Sequence, residues 1–110
     1  MRRPDVARVI RLDPGKKYQR LLSREPGSLG IKSGHVVLKP GENIGEHSTD
    51  EREEAIVVLQ GSGEATINKN NTLELERSLF LYIPPKTLHD VKNTGSGMLE
   101  YIFITSPAGQ

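Results

Sequence analysis

Glycine and proline recur at short intervals along this chain, eleven of the first and seven of the second in 110 residues. That punctuation leaves little room for long helices. Proline removes a backbone donor, and glycine in a helix interior costs backbone entropy. Between the breaks lie short runs rich in β-branched residues, at 6–12, 19–23, 35–39, 55–60, 64–67, 72–76, 79–83, 89–92 and 98–105. Many short strands joined by Gly, Pro and Asn turns predict an all-β sandwich or barrel. Asn68-Lys-Asn-Asn71 reads as a hairpin loop, because asparagine tolerates left-handed backbone, and Asn93-Thr-Gly-Ser-Gly97 reads as another turn. Pro84-Pro85 ends the strand before it. Leu99, Tyr101 and Phe103 alternate with Glu100, Ile102 and Ile104, which predicts a strand buried on both faces.

One segment has two readings. Ser48-Thr-Asp-Glu51 matches a helix capping box and Gly61 matches a helix stop, so a helix over 50–60 competes with a strand. Ile56, Val57 and Val58 decide for the strand, since branched side chains lose rotamer freedom in a helix. Gly61-Ser-Gly63 then reads as a tight connection into the next strand.

The length sets one domain as the expectation, with the first ~15 residues and the last five as loose ends. The chain has no cysteine, so disulfides and thiolate metal sites are excluded. Fifteen basic against fourteen acidic residues leave a net charge of +1, too small a field to imply nucleic acid or an anionic membrane. The apolar runs 55–59 and 79–83 are too short to span a bilayer, and the basic N-terminus has no apolar stretch of signal-peptide length. A cytoplasmic protein is the expectation.

Three residues carry the chemistry. His47, Glu54 and His89 offer two imidazoles and a carboxylate, a set that can hold a divalent ion and leave coordination positions free. Glu53 competes with Glu54, but neighbours in a strand face opposite sides, so one alone can look inward. His35, on a separate run, is the remaining histidine. The acidic stretch 50–54 otherwise reads as a solvated turn or edge guard.

The spacing around these residues resembles the two motifs of the cupin superfamily. Gly41, five residues, His47, Thr49, four residues, Glu54, six residues and Gly61 fill the first, with Thr49 where the family has a second histidine. Ser78, Pro84, Lys86, His89 and Asn93 fill the second at the family's spacing, with two glycines replaced. The resemblance implies a single cupin jelly-roll β-barrel over 1–110, its core at about 16–105, with a metal at the barrel mouth. Carried over by position, the metal ligands are His47, Glu54 and His89, and the cofactor is a divalent Fe, Mn, Ni or Zn ion. Thr49 is a poor ligand. The set is then an open facial triad, or is completed by His35, or is the remnant of a metal site that now lines a polar pocket.

The expected function is to bind or transform a small oxygen-rich molecule. A metal-free sugar isomerase or epimerase is the alternative, with His47 or His89 as base and Lys32, Lys39 or Lys86 clamping phosphate, although no phosphate-cradling loop is present. A non-catalytic binding or sensor domain is the third reading. Family resemblance also implies a homodimer, with the run 6–12 open to exchange between subunits. Asn93 is expected to tie off its strand by side-chain hydrogen bonds.

Overall fold

The computed structural model describes residues 7–23 and 28–108. Among these every regular element is a strand: β1 (Tyr18–Leu22), β2 (Lys32–Leu38), β3 (His47–Ser48), β4 (Arg52–Gln60), β5 (Ser62–Ile67), β6 (Asn71–Glu76), β7 (Phe80–Ile83), β8 (Leu88–Lys92) and β9 (Leu99–Pro107). They form a five-stranded sheet in the order β1-β2-β9-β4-β7 and a four-stranded sheet in the order β3-β8-β5-β6. Each of these pairings is antiparallel. Among the described residues no helix is long and apolar enough to cross a membrane.

Period-two patterning sets which residues meet. Glu54, Ile56 and Val58 of β4 are buried, while Glu53 is exposed and Ala55 and Val57 are partly covered. Val36, Leu38, Leu99 and Tyr101 join Ile56 and Val58 on the inner face of the larger sheet, against Ala65 and Val91 of the smaller one. Burying such side chains stabilises the fold by about 1.5–3 kcal/mol each. Glu54 is in phase with Ile56 and Val58, so the strand that fills the core also carries a carboxylate to the mouth between the sheets.

The helix competitor over 50–60 is not formed. The Ser48 hydroxyl accepts the Asp50 amide at 3.0 Å as a local turn, Asp50 turns left-handed with φ 53°, and β4 starts two residues later. Positive φ at Asn68 and Lys69 makes the predicted β5–β6 hairpin turn. Gly61 (φ 87°) makes the β4–β5 turn, and a Cβ there would collide with the carbonyl of Met98.

Three expectations change. The described residues form two open sheets facing each other, with no hydrogen-bonded ladder closing them into a barrel. Residues 7–12 of the first predicted run are not a strand, and Val6 lies outside the described residues. The last strand is buried chiefly on its inner face: Leu99 and Tyr101 are covered, whereas Ile104 on the outer face is 38% exposed.

Candidate metal centre

The three candidate ligands come from three strands and both sheets. His47 of β3 pairs directly with His89 of β8, which stacks their rings edge to face with centroids 4.2 Å apart. Directly opposed residues on an antiparallel pair project to the same face. Glu54 reaches in from the opposite sheet, and its Oε1 lies 3.3 Å from His89 Nε2. One ligand atom from each of His47, Glu54 and His89 falls within 4.8 Å of the others. Ligands about 2.1 Å from a common ion lie roughly 3–4 Å apart, so the cluster needs small adjustments only to close on one. His89 and Glu54 are buried and His47 is exposed at the mouth, which leaves one side accessible from solvent.

Both imidazoles are oriented by their own backbone. His47 Nδ1–H donates to the carbonyl of Gly45 at 2.9 Å, and His89 Nδ1–H donates to that of Thr87 at 3.2 Å. Each bond fixes the tautomer and turns the Nε2 lone pair toward the cluster, as outer partners of metal-bound histidines do. His89 Nε2 is buried and has no well-aligned hydrogen-bond partner, its contact with Glu54 being an ion pair only. A buried nitrogen without a bond, facing a carboxylate and a second imidazole, is the vacancy in bonding that a divalent cation satisfies. The residues present fit such an ion.

Burial alone would pull the His89 pKa down, but the Glu54 carboxylate beside it, helped by the carbonyl of Thr87, outweighs that and leaves the ring above its ordinary 6.5. Burial raises the Tyr101 phenol well above its ordinary range, and the charge of Glu54 adds to this, so Tyr101 lines the cavity as a neutral hydroxyl.

Thr49 and His35 do not join the cluster. The Thr49 hydroxyl donates to the carbonyl of Pro84 at 2.7 Å and accepts the Thr87 amide at 3.0 Å. It is a strut that pins the 84–87 loop leading into β8, and its hydrogen-bonding capacity is engaged there. His35 points to the outer side of the larger sheet, where its Nε2 meets Glu100 Oε2 at 2.6 Å. Glu53 also faces outward and accepts the Tyr82 hydroxyl at 2.9 Å. Asn93 behaves as expected: its amide donates to the carbonyls of Leu38 and Gly97 at 2.8 and 2.7 Å, and its oxygen accepts the Gly95 amide at 2.9 Å.

The cluster sits in a cavity of about 500 Å³ between the sheets. Of the three lysines that the sequence offered as an anion clamp, Lys32 alone lines it. Lys39 borders a smaller hollow elsewhere, and Lys86 lies 3.9 Å from Glu51 in solvent. Sequence reasoning missed Tyr18 and Arg20 on the cavity wall. The signal was present in the alternation of Tyr18 and Arg20, which share one face of β1.

Residues 34–105 match the family model described as Cupin domain. The chain is 30% identical over 112 residues to the protein named polyketide synthase CurC of Streptomyces cyaneus, spanning 96% of this chain and 71% of that protein. It is 29% identical over 85 residues to the tetracenomycin polyketide synthase protein TcmJ of Streptomyces glaucescens, spanning 74% of this chain and 56% of the relative. Its fold superposes on the crystal structure of a cupin barrel domain protein from Salinispora arenicola with a TM-score of 0.77, at 19% identity, covering 94% of this chain and 92% of the other. With two open sheets, both motif segments and the matching family model, this chain belongs to the cupin family.

Proposed function

We propose that this cupin holds one divalent ion on His47 Nε2, His89 Nε2 and a Glu54 oxygen, and that it binds a polyketide-like, oxygen-rich small molecule over that ion. The convergence of three ligand atoms within 4.8 Å carries the reading, together with the two backbone bonds that orient the imidazoles. Fe, Mn, Ni and Zn all suit this donor set. When bound, the ion would supply Lewis acidity and a template for chelating oxygens at its free positions. The chain supplies the rest. Glu54 would offset part of the ion's charge from the opposite sheet, Tyr101 stays neutral beside the site, and Ile44, Ile56 and Val91 give the cavity apolar walls. The names of the two Streptomyces relatives support a polyketide, whose ketone and hydroxyl oxygens suit a cation with open positions.

Elemental analysis of protein purified without a His tag tests the site. Near one equivalent of metal is expected, falling to background in His89→Ala. Less than about a tenth of an equivalent after reconstitution would overturn the reading.

The same reading includes a homodimer. The outer face of the larger sheet supports it, because Phe80, Tyr82 and Ile104 stand 68%, 54% and 38% exposed there in adjoining rows.

A further inference from the structure

Two exposed cations line the cavity with no ion-pair or hydrogen-bond partner among the described residues, and an aromatic floor connects them to the metal centre. Strand register gives the layout. Lys32 pairs with Thr105, and Thr105 pairs with Glu54. Lys32 therefore shares the inward face with Glu54, two strands away, or about 10 Å at the usual strand spacing. Arg20 pairs with Gly34, and Gly34 with Phe103, in the next inward-facing row. Among the described residues neither Arg20 nor Lys32 has an ion-pair or hydrogen-bond partner. Arg52 on the same wall differs: its guanidinium is bonded to Thr105 Oγ1 at 2.8 Å and to the carbonyls of Gly30 and Thr105.

Gly34 shapes the floor between them. A Cβ there would fall 2.5 Å from the Phe103 ring and 3.2 Å from that of Tyr18. The Phe103 ring thus lies in the space a side chain would take, with its centroid 6.0 Å from Tyr18. A flat apolar body can rest on these two rings beneath Ile44 and Val91. Charge points the same way. The cavity's Arg20, Lys32 and Arg52 already outnumber Asp50 and Glu54, and a dication at the centre would add to the excess.

We propose that Arg20 and Lys32 form a carboxylate-binding subsite, so that the preferred ligand is a flat aromatic acid with chelating oxygens at one end and an anionic group toward the rim. This rests on the metal-centre reading and narrows its substrate class. The matched probes are chrysazin, a dihydroxyanthraquinone, and rhein, which is the same molecule with one added carboxylate. Calorimetric titration of zinc-loaded protein is expected to show rhein binding about tenfold tighter than chrysazin, with the difference shrinking at high salt. In Arg20→Gln/Lys32→Gln, whose side chains are exposed and whose fold circular dichroism checks, the two are expected to bind alike. Equal binding by the unaltered protein, or a rhein preference that survives in the double variant, would overturn the subsite. Removing zinc with EDTA separates the two ideas. If both probes weaken, the chelating end engages the ion. If neither changes while rhein stays preferred, the metal reading fails and the subsite stands.

Discussion

Thr49 and His89 show how one residue's bonding decides its role. Thr49 occupies the position where the family pattern has a ligand, yet its hydroxyl bridges Pro84 and Thr87 from a buried site. Thr49→Val keeps the shape and leaves a buried amide and carbonyl unpaired. Urea unfolding is expected to show a loss of about 1–3 kcal/mol, with metal content per folded molecule unchanged. A metal loss at unaltered stability would instead make Thr49 a ligand. His89 predicts a pH dependence. Its folded pKa is raised above 6.5, so in EDTA-treated protein the protonated pair with Glu54 stabilises the fold fully below that value. This stabilisation is lost as pH rises through the folded pKa, and the melting temperature should fall over that interval. Metal binding must displace the same proton, so metal affinity should rise over it. Melting scans and competitive titrations at stepped pH read the two opposing trends.

At the scale of elements, β4 was the most legible and β3 the least. Ile56, Val57 and Val58 identified β4 by shape; alternation allowed only one of Glu53 and Glu54 to face inward, and the spacing to Gly61 in the motif chose Glu54. β3 is two residues long, and no periodicity can be read from two residues; its pairing with β8 follows from tertiary contact. The same limit hid Arg20 and Tyr18. Their alternation was visible, but which face met the cavity depended on a register set by β2 and β9, far along the chain. His35 looked like a ligand because its run lies beside the site, and the side to which it turns was likewise a matter of register. The β4–β5 turn gives a prediction at this scale. Gly61→Ala forces a Cβ into left-handed backbone and against the Met98 carbonyl. A cost of about 1–3 kcal/mol is expected, seen as a melting point lower by roughly 4–8 °C for each kcal/mol. Unchanged melting would show that the turn relaxes without cost.

The whole molecule presents two faces of different character. Charged and polar side chains stand among apolar walls in the cavity between the sheets, while the outer face of the larger sheet exposes Phe80, Tyr82 and Ile104. The expected dimer would cover that face, so Phe80→Glu is predicted to give a monomer by light scattering. A monomeric unaltered protein at micromolar concentration would remove the dimer from the reading. The sheets themselves share no ladder, and they are joined unequally at their two ends. Just beyond β8, the Asn93 amide reaches Leu38 at the end of β2 and fastens one sheet to the other. At the opposite end the facing groups are His47 and His89 on one sheet and Glu54 on the other. An ion held there would act as a clasp, a further rivet beside the Thr49 strut that bridges Pro84 and Thr87 at the same end. Binding free energy at the clasp is then also cohesion between the sheets. A simple melt with and without metal would report on the centre, and hydrogen exchange would slow in β3, β4 and β8 together.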